Sequence, residues 1–485
     1  EWSMPDEATC SWEPNLKPMN VQFDKNAPKE TFYAYVEPHV STYYNKTAPS
    51  LSGGGLKPAK ASFSGMFGKF INLSPEPIRV WYQARKGADL SYIADVEPFG
   101  SSGTATYVAH HFVVTPTTQQ SKVLTEWKME QGNSLYYYDP FNFDILKAHK
   151  TLTDQQYVYY HMQWHNRLFA QEYKKFTGGR DWLALYKQKH PPRFHMHRAD
   201  YFGQTHQVET KEIHFVEMPE DNEMERGASS YGPRPDVIRR IRQHRDQNPT
   251  LNLTLTAISC SPRVFEIKNF LSDTEVNHLL DLAYKSDMHL SSVSAGQASQ
   301  GAEKTTSRTS TNSWIPRSTD VVVDALYRRA ADVLQMNEGL LRWRRGTEIP
   351  EFAESSISVA EPLQCVNYQV GQQYTPHHDF VMPSLVNLQP SRFATVLFYL
   401  NDDMEGGETS FPLWVRSQDD PKAREALKVK PKKGKAVLFY SLLPDGNYDE
   451  RSMHAALPVS KGEKWLTNLW VWDPIMDHRN QKSLG

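Results

Sequence analysis

A chain of 485 residues, 39% hydrophobic and 23% charged, has an ordinary soluble composition and the length of about three domains of roughly 150 residues. Its formal net charge of -2 and pI near 6.9 exclude a global electrostatic pull toward nucleic acid or anionic membrane, and the basic runs at 239–245 and 430–435 read as solvated faces. No apolar stretch approaches the roughly 20 residues that span a bilayer, and three cysteines, Cys10, Cys260 and Cys365, allow one bridge at most.

Residues 1–60 are rich in Pro, Asn, Ser and Lys and end in LSGGGLKPAKAS, which predicts an extended arm and linker. The chain opens at Glu1 and not Met, so we expect a mature form that has lost a targeting segment or membrane anchor; no anchor is present in this chain. Sequons at Asn45, Asn72 and Asn252 fit a secretory-pathway protein of the endoplasmic reticulum or Golgi lumen, with the cytosol as the other expectation.

From residue 61 to 120 the segments FGKFINLS, IRVWYQAR, LSYIADVEP and ATYVAHHFVVTP, separated by turn residues, predict a small β-sandwich. Their layout resembles the β domain of the von Hippel-Lindau protein, in which an asparagine-rich first strand and an exposed aromatic surface bind hydroxyproline. That resemblance implies a protein partner; an unrelated sandwich used for packing is the competing expectation. Residues 121–215 are expected to be a helical region, with Thr153-Asp154 as an N-cap and Gly178-Gly179 as a break. His195, His197 and His206 lack carboxylate or Cys partners at a metal-ligand spacing, so a metal cluster there is disfavoured.

Residues 216–255 read as a charged, Gly- and Pro-containing linker. Beyond it, Ser272-x-x-Glu275 is a capping box opening a helix, and Ser318-Thr319-Asp320 starts a second. The Ser-, Thr- and Gly-rich insertion at 292–312 between them is long enough to be functional. From Glu361 the short strands LQCVNYQV, FATVLFYLN, KAVLFYSLL and KWLTNLWVWD predict a jelly roll, a double-stranded β-helix whose mouth holds a ligand, so the fold class is α+β and multidomain.

Within that run His377 and Asp379 stand two apart after an alternating apolar stretch, hence on one strand face. With His454 as third ligand they would make a 2-His-1-carboxylate triad with open positions. Lys464 offers a cation for an anionic co-substrate, and Tyr368, Tyr374 and Thr409 offer hydroxyls.

Residues 262–474 carry five blocks in order, SRTSTNSWIPRSTD, LQCVNYQVGQQYTPHHDF, RFATVLFYLNDDMEGGETSFP, KPKKGKAVLFYSLLPDG and SMHAALPVSKGEKWLTNLWV. These resemble the catalytic domain of the prolyl 4-hydroxylases, Fe(II)- and 2-oxoglutarate-dependent dioxygenases. The resemblance implies an oxygenase domain over 256–485 that hydroxylates C4 of a peptidyl proline, with succinate and CO2 as co-products and ascorbate as a further cofactor. It implies His377, Asp379 and His454 as iron ligands and Lys464 as the partner of the distal carboxylate of 2-oxoglutarate, with Tyr368 and Thr409 lining the pocket. Glu361, Tyr374, Arg392 and Trp470 would face the peptide, the last three at the reacting centre, and Arg308 and Ser310 would lie in a mobile loop folding over it. Two positions depart from the pattern: Ala455-Ala456 replaces a Gly-Cys, and the middle residue of the H-x-D is His378, which a strand points to the opposite face. Competing expectations are an oxygenase acting on lysyl residues, a free amino acid or an alkylated base, and a hydroxyproline-binding adaptor with an inert oxygenase domain.

Overall fold

A computed structural model of the chain describes residues 63–177, 179–184, 195–199, 203–219, 251–286, 288–291, 308–343, 358–382, 391–414 and 426–473. The expected N-terminal arm, most of the linker and the greater part of the 292–312 insertion lie outside these residues, as do Cys10, Asn45 and the 239–245 run.

The first unit contains strands β1 (Gly65–Asn72), β2 (Ile78–Gln83), β3 (Leu90–Val96), β4 (Ser101–Tyr107), β5 (His111–Pro116), β6 (Thr125–Lys128) and β7 (Leu135–Tyr138). They form two sheets, ordered β4-β1-β7 and β3-β2-β5-β6, so the strands run past residue 120 and the expected boundary moves to about 138. Phe70, Val80, Phe112, Val114 and Trp127 fill the space between the sheets. Every residue of β1 is buried. Its period of two explains this: Met66 and Phe70 enter the sandwich, while Phe67 belongs to the core of the C-terminal unit and Ile71 packs under the helices. Asn72 is fully buried and its amide donates to the carbonyls of Glu76, Val96 and Glu97, so this sequon is a structural turn residue and not an exposed acceptor. Asn252, by contrast, is exposed.

Helices α1 (Ile145–Thr151) and α2 (Asp154–Phe176) follow. α2 begins at a capping box in which Thr153 Oγ1 accepts from the Gln156 backbone and the Gln156 side chain accepts from the Thr153 N–H. The expected helical region is thus narrower than 121–215, because its first part holds β6 and β7 and its last part holds β8 (Thr205–Thr210).

The C-terminal unit continues with β9 (Leu251–Cys260), β10 (Arg263–Ile267), α3 (Asp273–Lys285), β11 (His289–Leu290), β12 (Thr311–Ile315), α4 (Val321–Val333), β13 (Leu363–Tyr368), β14 (Tyr374–His377), β15 (Arg392–Tyr399), β16 (Glu405–Gly406), β17 (Thr409–Phe411), β18 (Leu427–Val429), β19 (Ala436–Tyr440), β20 (His454–Ala456), β21 (Val459–Lys461) and β22 (Lys464–Trp472). The major sheet has the order β11-β12-β13-β22-β15-β19-β10-β9-β8, and the minor sheet β14-β20-β17-β18. Both are antiparallel, the arrangement of a jelly roll. The major sheet therefore starts at residue 205, well before the expected domain start at 256, and β9 occupies the end of the expected linker.

Runs such as FATVLFY are apolar throughout because both faces are covered. Leu397, Tyr399, Val437, Phe439 and Leu466 point into the roll, whereas Val396, Phe398, Leu438 and Leu469 share a core with α3 and α4. α3 opens on the expected Ser272/Glu275 capping box and α4 on Asp320, whose carboxylate accepts from Val323 N–H. The 430–435 run is a charged turn tied down by ion pairs, Lys432 to Asp402, Lys433 to Asp273 and Lys435 to Glu266, and Lys435 is buried, so that run is only partly a solvated face. Cys260 and Cys365 are buried and form no disulfide.

The two helices are locked by a fully buried ion pair. Arg329 on α4 forks onto both oxygens of Glu275 at 2.7 and 2.8 Å, and Glu275 also accepts from the backbone N–H groups of Phe215 and Ser272. Arg329→Met leaves that carboxylate buried without its cation, a loss of about 3–5 kcal/mol. Urea unfolding of the variant should show this loss, and a change below about 1 kcal/mol would contradict the pair's importance.

Candidate active site

β14 and β20 pair antiparallel with His377 directly opposite His454, so the sheet itself brings the two imidazoles together with ring centroids 4.4 Å apart. Asp379 follows on the same side; His377 Nε2 lies 3.9 Å from its Oδ1 and His454 Nε2 3.6 Å from its Oδ2. Ligand atoms of all three fall within 4.8 Å of one another, and among the described residues no other cluster of three does so.

The orientation of each ligand is set from behind. His377 Nδ1–H donates to Thr375 O at 2.8 Å and His454 Nδ1–H to Ser452 O at 3.0 Å, which leaves the lone pair of each Nε2 aimed at the cluster. Asp379 Oδ2 accepts from Thr395 Oγ1 at 2.6 Å and from Trp470 Nε1 at 3.0 Å. Burial, then the neighbouring His454, drives the His377 pKa well below its usual value, so this imidazole is neutral at pH 7. Burial alone would raise the Asp379 pKa, but His454, His377 and Arg392 outweigh it and hold the carboxyl at about 2. Two imidazole nitrogens and one carboxylate form the donor set of a divalent-iron facial triad.

Lys464, at the head of β22, is opposite Tyr368 in the β13 register and wholly buried. Its Nζ lies 5.3 Å from the Tyr368 ring centroid and 5.7 Å from that of Tyr399, with no hydrogen-bond partner among the described residues. Burial depresses its pKa to about 7. An orphaned ammonium is costly unless an anion arrives, and the cradle around it is kept open by Gly407, where a Cβ would meet the lysine Cδ at 3.2 Å. Thr409, buried on β17, accepts from Tyr399 Oη–H at 2.7 Å. Ala456 packs into the apolar interior beside Val459 and Leu466, so the small-residue departure at 455–456 fills the roll without displacing His454.

The remaining predicted residues form a second wall. Arg392 forks onto Glu361 at 2.6 and 3.0 Å and lies 3.8 Å from the Trp470 ring centroid, while Trp472 Nε1 also donates to Glu361. Trp470 is mostly buried and hydrogen-bonded to an iron-ligand candidate, so its contact runs inward to Asp379 as well as along Arg392. Tyr374 stacks on His377 at 3.5 Å, and burial raises its pKa to about 12.

Arg308 and Ser310, expected in a mobile loop, are instead buried at its edge. Arg308 bridges Tyr374, donates to Gln364 Oε1 at 3.0 Å and lies 4.7 Å from the Tyr374 ring centroid; Ser310 donates to Ser291. These partners come from neighbouring strands, which is why the segment is fixed. His195, His197 and His206 do lie together, but His197 and His206 spend their Nε2–H groups on the carbonyls of Val333 and Arg198. Sequence reasoning missed Thr395 and Tyr399; the signal for Thr395 was a polar residue inside the continuous apolar run FATVLFY.

Residues 363–472 match the 2OG-Fe(II) oxygenase superfamily. A probable prolyl 4-hydroxylase 6 of Arabidopsis thaliana is 35% identical over 225 residues, 45% of this chain and 71% of the relative. Prolyl 4-hydroxylase 5 of the same plant is 34% identical over 223 residues, 44% of this chain and 69% of the relative. Among solved structures, the 2OG complex of a viral collagen prolyl hydroxylase from Paramecium Bursaria Chlorella virus-1 is 26% identical and aligns over 43% of this chain and 94% of its own, with a TM-score of 0.31. The extent and identity of the plant matches establish that the chain belongs to the prolyl 4-hydroxylase family, within the Fe(II)- and 2-oxoglutarate-dependent dioxygenases.

Proposed function

We propose that this protein hydroxylates C4 of a proline in a polypeptide substrate. The observation that carries the reading is the pairing of the His377, Asp379 and His454 cluster with the buried Lys464, which has no hydrogen-bond partner among the described residues, in one roll. The triad would hold Fe(II), and Lys464 with Tyr368 and Thr409 would hold the distal carboxylate of 2-oxoglutarate. Bound iron and 2-oxoglutarate supply the oxidising chemistry, splitting O2 between succinate and the hydroxylated product with release of CO2.

The chain's own residues provide binding and orientation. Thr395 and Trp470 fix the orientation of the Asp379 carboxylate by hydrogen bonds. Arg392, held flat against Trp470 by Glu361, offers a planar cation and an aromatic edge to a peptide backbone. Tyr374 supplies a neutral hydroxyl beside His377, since its raised pKa keeps the proton on at any physiological pH. Apolar residues of the roll exclude water from the reacting carbon.

Ascorbate as a reductant, a protein partner for the N-terminal sandwich and residence in the endoplasmic reticulum or Golgi lumen belong to the same proposal. The exposed Asn252 sequon supports the last of these.

The deciding experiment is mass spectrometry of proline-rich peptides incubated with the protein, Fe(II), 2-oxoglutarate and ascorbate. A gain of one oxygen on proline is expected; oxidation of lysyl peptides, free amino acids or alkylated bases in its place would overturn the substrate class. His454→Ala should reduce 2-oxoglutarate turnover by more than about 100-fold with the circular dichroism unchanged, and retained turnover would sink the ligand assignment.

Lys464 gives a pH signature. In the ligand-free protein its pKa is about 7, so at pH 8 it is largely neutral; a facing carboxylate raises that pKa and recharges it. Binding of 2-oxoglutarate at pH 8 should therefore take up roughly one proton, falling toward zero below pH 6. Calorimetry in buffers of different ionisation enthalpy, with a redox-inert metal in place, measures the uptake. Lys464→Met should abolish it.

A further inference from the structure

The H-x-D strand has two sides, and the second one faces the N-terminal unit. His378 turns away from its two neighbours, donates from Nε2 to Glu450 O at 2.8 Å and meets the edge of Phe67 at 5.3 Å between ring centroids. Phe67 is on β1 of the sandwich and also packs edge-on against Phe380 at 5.0 Å, so a single sandwich ring braces the residues either side of Asp379. A Cβ on Gly103 of the neighbouring strand β4 would lie 2.4 Å from the tip of that ring, so the sandwich leaves a glycine where the ring must sit.

The other ligand strand is gripped as well. Glu450, four residues before His454, accepts from Phe67 N–H at 3.0 Å and from Ser134 Oγ at 3.1 Å. The turn leading into it is tied to α2 and the segment after it: Tyr173 Oη donates to Asp445 at 2.7 Å, and Asn447 Oδ1 accepts from Leu183 and Ala184 N–H at 2.7 and 3.2 Å. The buried Lys69 of β1 donates to Ala184 O, closing the set from the sandwich side. These contacts lie within the long-range core shared by both units.

We propose that Phe67 and Glu450 are positioning residues of the metal centre, and that the N-terminal sandwich is a brace that holds the two ligand strands at the separation the metal needs. Phe67 fixes the depth of the H-x-D strand through His378 and Phe380. Glu450 couples that ring's own backbone to the turn before His454. The sandwich thus acts on affinity for the metal, not on contacts to the peptide. This rests on the triad being the metal site.

The test is metal binding by the full-length apoprotein, with Co(II) as an oxygen-tolerant probe whose visible absorption reports coordination. Wild type and His454→Ala bound the scale: loss of the signal in the latter verifies the site, and no triad-dependent signal at all in wild type would refute the site reading itself. Phe67→Ala is expected to weaken Co(II) binding about 10- to 100-fold, the range for partners that orient metal ligands, and to alter the absorption envelope. Turnover should recover at saturating Fe(II), with the KM for peptide unchanged. Affinity within twofold of wild type in a folded Phe67→Ala would overturn the proposal. Should that variant not fold, Glu450→Ala against Glu450→Gln decides: the glutamine keeps an acceptor for Phe67 and Ser134 and should restore binding, whereas equal affinity in both variants and wild type would overturn the brace.

Discussion

The antiparallel pairing of Tyr374–His377 with His454–Ala456 sets His377 directly across from His454, and the rest of the site is arranged around that fact. Two residues 77 positions apart in sequence become neighbours through one register choice, and Asp379 joins them from the bend just past the end of β14 at His377. Because the imidazole Nδ1 protons are committed to the backbone oxygens of Thr375 and Ser452, rotation of either ring would break a hydrogen bond. The cluster is therefore preorganised by the sheet and its own backbone.

Electrostatics at the two ends of the pocket are opposite in kind. At the triad, the burial cost of the Asp379 charge is offset by a hydroxyl, an indole N–H and neighbouring nitrogens, so the carboxylate is ready to ligate. At Lys464 the burial cost outweighs the attraction of Glu408, and the ammonium loses its proton near pH 7 in the ligand-free protein. An anion that carries one carboxylate to Lys464 relieves the cost at that end and leaves its other end free to face the triad. A neutral ligand of the same length would leave Lys464 without a partner, which is how a buried cation selects a dicarboxylate.

Much of the roll was legible because its strands repeat apolar residues between clear turns; the His377 and Asp379 pair was suggested by its spacing of two, while the roles of His454 and Lys464 were legible through the five ordered blocks that resemble the prolyl 4-hydroxylases. What sequence could not show follows from tertiary contact. Arg308 and Ser310 read as loop residues since a polar, Ser- and Thr-rich context signals exposure; only the partners Gln364, Tyr374 and Ser291 from other strands make burial affordable. Trp470 read as a peptide contact, and its bond to Asp379 depends on how β22 lies beside β15. β8 hid inside an apparently helical stretch because THQVET becomes a strand by pairing with β9, not by its own propensity.

The alternation of β1 and the bend just past β14 together join the two units. In β1, Phe70 goes into the sandwich while Phe67 leaves it. In the metal strand, His377 and Asp379 go to the cluster while His378 turns to meet Phe67. A one-residue slip of β14 against β20 would break the register that sets His377 opposite His454. The cluster cannot enforce it in the absence of metal, since two imidazoles and a carboxylate gain little from proximity alone. Aromatic packing adds what the cluster lacks: Phe67 meets His378 and Phe380 edge-on, and those two rings lie 4.5 Å apart. His378, the middle residue of the motif, is therefore the point at which the N-terminal sandwich touches the segment that carries two of the three clustered side chains.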